Sequence, residues 1–230
     1  MSFGDKNFTY GPKIVKDGLV FYMDAANPKS YVSGDTTCTD LVGGNVGSLQ
    51  NGTGFSTENN GGWSFDGSDD YINFVGGIFR PAIQDFTMEV WVKRTSTDGI
   101  VVIIPQSSFG LSGEYWINMS SSEISIGIRG LGGAGGTSGS ILSNNNWYHI
   151  VSTVTHSPKS SKIYIDGELI NDDTTWDTMV DNSNAPIGIG ANFPNTAFGG
   201  QISNVKIYNK VLTQEVITRN YNALKGRFGL

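Results

Sequence analysis

What this chain lacks narrows its chemistry before its contents are weighed. Cys38 is the only cysteine in 230 residues, so no disulfide forms within the chain and the thiol reads as a small packing group. His149 and His156 are the only histidines, and their spacing of seven puts them on opposite faces of a strand, unsuited to a shared metal or a catalytic triad. No GxSxG elbow exists for a serine nucleophile. The glycine run between Gly130 and Gly139 is not closed by Gly-Lys-Ser/Thr and opens no helix, which excludes a phosphate loop and leaves a glycine hairpin at an outward tip. Lys and Arg total 15 against 21 acids, giving a net charge of -6 and a pI near 4.8. Without a basic stripe to displace phosphate counterions, nucleic acid is not an expected partner. The opening MSFGDKNFTYGPK has no apolar leader core and no stretch approaches a membrane span, so folding without membrane insertion in the compartment of synthesis is expected.

What the chain does contain is punctuation. Thirty-one glycines with many Asn, Ser and Thr interrupt it every few residues, which favours many short strands over long helices. The stretch FTMEVWVKR (Phe86 to Arg94) has Phe86, Met88, Val90 and Val92 on one parity and Thr87, Glu89, Trp91 and Lys93 on the other. A period of two buries the first set, and Trp91 among polar neighbours predicts that the second face is also partly covered. Leu19–Met23, Trp147–Val154, Lys162–Ile165 and Ile202–Tyr208 read as further strands, and Asp166-Gly167 is the strongest hairpin signal. Trp63–Phe65 and Tyr71–Phe74 read as a hairpin around an acidic turn, and Val42–Asn60 as a polar surface loop anchored by Leu49 and Phe55. Thr213 caps the one good helix, whose stripe is Val216, Ile217, Tyr221 and Leu224. Together these predict an arm at residues 1–17 that lies along the domain or docks on a neighbour, followed by a single all-β domain over 18–230. That domain is a jelly-roll sandwich of two antiparallel sheets with a short C-terminal helix.

Two chemistries have candidate residues. Glycoside hydrolysis needs two carboxyl groups across a bond, and Glu89, Glu123 and Glu168 each stand alone on their strands; only the distant Glu89 and Asp173 remain as a pair, so no catalytic residue is assigned. Calcium needs several oxygen ligands gathered by turns, and Asp24 with Asp66, Asp69 and Asp70 are the candidates. Sugar recognition favours aromatic platforms beside Asn, Asp and Gly, which points to Trp116, Trp176, Phe193 and Phe198, with Trp63 as a further aromatic.

The order of several motifs adds to this. GLVFYMDAANPKSY (Gly18 to Tyr31), WSFDGSDDYINF (Trp63 to Phe74), FTMEVWVKR, NNWYHIVSTV, KIYIDGELI (Lys162 to Ile170), IGIG (Ile187 to Gly190) and the ending GGQISNVKIYNKVLTQEVITRNYNALKGRFGL cover nearly everything after Lys16. In this order they resemble the concanavalin A-like, laminin G-like jelly-roll family, and the ending NYNALKGRFGL resembles the version carried by tailed bacteriophages of marine and cyanobacterial hosts. The resemblance implies two curved antiparallel sheets and a non-catalytic role. One form of that role is a virion structural protein, a capsid decoration or tail-associated subunit present in multiple copies and bound to other virion proteins, made in the host cytoplasm. The alternative is a carbohydrate-binding adhesin that contacts host surface polysaccharide. Ser203 stands where many relatives carry an acid, which removes one carboxylate that would support an ion.

Overall fold

The computed structural model describes residues 12–95, 98–104, 115–128, 134–175, 186–192 and 196–230. The first seven strands are β1 (Leu19–Asp24), β2 (Thr37–Thr39), β3 (Val46–Gln50), β4 (Gly54–Ser56), β5 (Gly62–Asp66), β6 (Tyr71–Phe74) and β7 (Phe86–Arg94). They are followed by β8 (Gly99–Ile104), β9 (Tyr115–Met119), β10 (Ile124–Ile128), β11 (Ala134–Thr137), β12 (Tyr148–His156), β13 (Lys159–Ile165) and β14 (Glu168–Asp173). The last are β15 (Ile187–Ile189), β16 (Ala191–Asn192), β17 (Thr196–Ala197) and β18 (Gly199–Tyr208), before helix α1 (Gln214–Leu224) and a 3-10 turn at Lys225–Phe228.

Two antiparallel sheets face each other. Sheet A runs β14-β13-β12-β7-β18-β5-β4, with β1 also on β18; sheet B runs β11-β10-β9-β8-β15-β6-β3-β2. The long β18 serves two partners on one edge, β5 along Gly199–Ile202 and β1 along Asn204–Tyr208, with an irregularity at Ser203 between them. The inner parity of β7 (Phe86, Met88, Val90, Val92) meets Ile72, Phe74, Val102, Ile104, Tyr115 and Ile117 from sheet B in one contiguous core. Each sheet buries its apolar face only because the other is present.

The outer face of sheet A is covered too. Helix α1 and the turn after it lie across it, with Ile217 and Leu212 on Val151, Tyr164 and Tyr208, and Phe228 on Trp91 and Trp147. Trp91 has no exposed surface and is stacked on Phe228 at 4.1 Å and 13° between ring planes. The covered second face expected at Trp91 is therefore the seat of the C-terminal cap. Thr213 caps α1 by accepting from the Val216 N–H. Residues 13–17 run along the same cap: Val15 N–H donates to Asn220 Oδ1 at 2.8 Å, and Lys13 O accepts from Arg219 Nε at 3.1 Å.

Some local expectations are corrected. β5 and β6 are not a hairpin, because β5 pairs with β18 and β4 in sheet A while β6 pairs with β15 and β3 in sheet B. The acidic turn between them carries the chain across the sandwich, so that Trp63 and Phe65 on one side and Ile72 and Phe74 on the other enter one core. The segment 42–60 is not all loop: β3 and β4 form within it, each holding a single apolar anchor, Leu49 or Phe55, against the core. The Asp166-Gly167 hairpin forms as expected, with φ of +52° and +88° that suit a tight two-residue turn. Most of the glycine run lies outside the described residues, and its end forms β11 beside β10.

Candidate functional site

Beneath the C-terminal cap is a closed polar cluster. Glu89 of β7 faces Lys206 of β18 in direct cross-strand register, and both are fully buried. Lys206 Nζ donates to Glu89 Oε1 at 2.6 Å and to Asn204 Oδ1 at 2.9 Å, while Asn220 Nδ2 of α1 donates to Glu89 Oε2 at 2.8 Å. His149 Nε2 lies 3.1 Å from the same carboxylate. Burial pushes the Glu89 carboxyl up, but Lys206 and His149 outweigh it and hold it below the usual carboxylate range. The cluster is thus a neutralised ion pair sealed from solvent, which withdraws Glu89 and His149 from any surface chemistry.

A second ionic contact fastens the same cap. Arg227 Nη1 donates to Asp24 Oδ1 at 2.8 Å, Nε to Asn59 O at 2.6 Å and Nη2 to Gly61 O at 2.7 Å. Ser203, where relatives carry an acid, donates its hydroxyl to Gly61 O at 2.9 Å and also accepts from Arg227. Asp24 is therefore bound to a guanidinium and does not join the acidic turn. It stands opposite Asn204 on β18, whereas Asp66 stands opposite Gly199. Those partners are five residues apart, roughly 16 Å along the strand.

The structure does bring Asp66, Asp69 and Asp70 together. One carboxylate oxygen from each lies within 4.8 Å of the others. Two oxygens sharing a calcium ion at 2.3–2.6 Å are at most about 5 Å apart, so this donor set fits the ion's size and its preference for oxygen. Burial raises the Asp70 carboxyl above its ordinary range, and the charges of Asp66 and Asp69 add to the shift against the Asp66 N–H that Asp70 accepts at 2.9 Å. A cation would relieve that repulsion. Asn51 Nδ2 fixes the turn from outside by donating to Asp69 O at 2.9 Å.

The aromatic candidates divide. Phe198 is fully buried, packed towards Phe65 with ring centroids 6.3 Å apart, and is a core residue instead of a platform; Trp63 is likewise fully buried. Trp176 and Phe193 lie outside the described residues. Trp116 is half-buried on the outer face of sheet B, since its neighbours Tyr115 and Ile117 point into the core. Its indole lies flat on Gly127 of β10, where an added Cβ would fall 1.8 Å from ring carbons. Glycine at 127 is what lets the ring lie against the sheet.

Cross-strand register extends this site. Trp116 pairs with Ile103, Ile103 with Gly188, Gly188 with Asn73 and Asn73 with Ser48. Asn73 also points outward, between Ile72 and Phe74 in the core, and its buried Oδ1 has no hydrogen-bond partner. An orphaned acceptor of this kind costs about 1–3 kcal/mol unless a ligand or water donates to it. Asn118, one step along β9, holds Ser125 Oγ at 3.4 Å. The row from Trp116 to Asn73 spans three ladder spacings, roughly 14 Å. This juxtaposition was hidden in the sequence, because Asn73 and Trp116 meet only through the order of four strands.

Hydrolysis finds no pair among the described residues. Glu89 is sealed under the cap, and β7 and β14 are separated by β12 and β13. The Glu89–Asp173 separation is therefore at least roughly 14 Å, beyond the 5 to 9.5 Å that either stereochemical route uses.

Comparisons with known proteins agree with the architecture. Residues 66–218, more than half of the chain, match the family described as the concanavalin A-like lectin/glucanases superfamily. No curated protein sequence matches. Among solved structures, domain 4 of an extracellular arabinanase from Geobacillus stearothermophilus, in complex with arabinotriose, is 16% identical with a TM-score of 0.68 over 88% of this chain and 98% of that one. The binding domain of Paraclostridial Mosquitocidal Protein 1 is 17% identical with a TM-score of 0.69, covering 90% of this chain and 52% of that one. Trypanosoma rangeli sialidase is 16% identical with a TM-score of 0.66; the match covers 91% of this chain but only 33% of the sialidase. At such identities the likeness is one of fold. The chain belongs to the concanavalin A-like lectin/glucanases superfamily.

Proposed function

We propose that the chain is a non-catalytic saccharide-binding module whose binding face is the outer face of sheet B. The observation that carries this reading is the row that joins the Trp116 ring to the orphaned Asn73 Oδ1. A flat indole braced on Gly127 offers a stacking surface to a sugar ring, and Asn73 offers an acceptor to a hydroxyl. The likeness to an arabinanase domain bound to arabinotriose, and to a toxin binding domain, supports the class of ligand. Titrating the protein with a panel of soluble oligosaccharides and host surface polysaccharide tests it. Binding by the wild type that weakens at least tenfold in W116A, about 1.4 kcal/mol, is the expected result, and a flat response over the panel refutes the reading. Released reducing ends during the same incubation would overturn the non-catalytic part.

The setting we propose is a virion, with the module displayed in several copies on a capsid or tail and held by other virion proteins. The motif order and the ending NYNALKGRFGL support this. Within the domain that ending is already spent on the cap, where Arg227 and Phe228 are bound internally, so contacts to neighbours fall to other surfaces. Mass spectrometry of purified particles tests the setting, and absence of the chain from them refutes it. Calcium on Asp66, Asp69 and Asp70 would serve structure, tying the acidic turn to the rim.

A further inference from the structure

The two sheets close the sandwich along one side, where β11 packs beside β14, and leave it open along the other. On the open side the terminal strands are β4 in sheet A and β2 in sheet B. Between them is a cleft of about 360 Å³, lined by Tyr31, Asp35, Thr36, Thr53, Gly54 and Phe55 among others. Its size is at the small end for small-molecule sites.

Its wall is aromatic and rigid. The Tyr31 and Phe55 rings are 5.2 Å apart and tilted at 45°, and Tyr31 is braced from behind by Trp63, edge-on at 5.6 Å. Tyr31 is almost wholly buried, whereas Phe55 keeps part of its ring at the cleft. The rest of the lining is polar. Asp35 and Thr36 are exposed at the mouth, and Thr53 Oγ1 donates to Gln50 O at 2.8 Å, which leaves its oxygen as an acceptor. Strand β4 pairs only with β5, so its other edge presents backbone polar groups to the cleft. Gly34 has φ of +98° and nothing within 4 Å of an added Cβ, so the backbone there stays open to an approaching ligand.

We infer that this cleft is a second saccharide subsite, one that takes a single neutral sugar ring with adjacent hydroxyls. The inference rests on the saccharide reading above but uses none of the same residues. An aromatic wall with hydroxyl, carboxylate and backbone acceptors matches a polyhydroxy ligand, and no Lys or Arg lines the cleft to select an anion. A peptide strand added to the edge is disfavoured, because β4 offers only three residues to pair with.

Residue-resolved NMR titration of the full chain with methyl glycosides of glucose, mannose, galactose and arabinose tests the subsite. Saturable amide shifts at 31–36 and 52–55, with a millimolar dissociation constant for at least one glycoside, are expected. F55A should weaken that constant at least tenfold, and D35N, an exposed change that spares the packing, should weaken it several-fold. Shifts at 116–118 with none in the cleft would overturn the subsite alone, while no shifts anywhere would overturn both readings. Cleft shifts unaltered in both variants, or shifts that grow with protein concentration in the absence of sugar because a second copy pairs with β4, would also overturn it.

Discussion

Replacing Lys206 with Met removes the cation that faces Glu89 in the floor of the C-terminal cap. Both side chains are fully buried, and the remaining partners of the carboxylate are the Asn220 amide at 2.8 Å and the His149 ring at 3.1 Å. A buried ion pair broken from one side typically costs about 3–5 kcal/mol, because the other charge stays desolvated. For a chain of this size each kcal/mol lowers the melting temperature by about 2–4 °C, so K206M should melt about 6–20 °C below the wild type. Urea denaturation should show a lower midpoint with an unchanged slope. The double variant K206M/E89Q removes both charges and should return to within about 1–2 kcal/mol of the wild type. The acid limb gives a further check. Since the folded Glu89 carboxyl is held low, its contribution is full above its unfolded value of about 4.3 and is lost as pH falls through the folded value. Protonation of Glu89 relieves the lone charge in K206M, so the gap between K206M and the wild type should narrow below about pH 4. A K206M protein within about 1 kcal/mol of the wild type at pH 7 would refute the sealed pair.

Three other outcomes follow from the geometry. F228A empties the stack on Trp91 and Trp147 and should cost about 3–5 kcal/mol, with red-shifted tryptophan fluorescence as the cap loosens; an unshifted spectrum would mean Trp91 stays covered without it. Calcium should raise the melting temperature and a chelator lower it, and D69N should blunt that response more than D24N, since Asp24 is held by Arg227; identical curves with calcium and with chelator would remove the ion from the account. G127A places a methyl where the Trp116 indole lies and should reduce saccharide binding as W116A does, read by titration calorimetry, with the melting temperature used to confirm a folded sample.

The fold was legible where local periodicity and capping speak for themselves. Alternation in FTMEVWVKR placed Trp91 on a covered face, Asp166-Gly167 declared its hairpin, and Thr213 declared the helix start. The site was less legible, because its groups meet through strand order. Glu89 and Lys206 are 117 residues apart and become neighbours only when β18 settles beside β7. Lone charges on the parity that also carries Trp91 were the available signal that a partner lay opposite. Phe198 read as a loop aromatic because glycines surround it, yet those glycines admit it to the core: a Cβ at Gly200 would meet its ring at 2.6 Å. Asp24 was grouped with the acidic turn by charge alone, and the register of β1 on β18 sets it against Arg227 instead.

The most direct test of the saccharide reading is a crystal structure with the tightest-binding oligosaccharide of the panel. A sugar ring stacked about 4 Å from the Trp116 indole, with a hydroxyl donated to Asn73 Oδ1, is the predicted result. Saccharide density that leaves Trp116 and Asn73 untouched would contradict it.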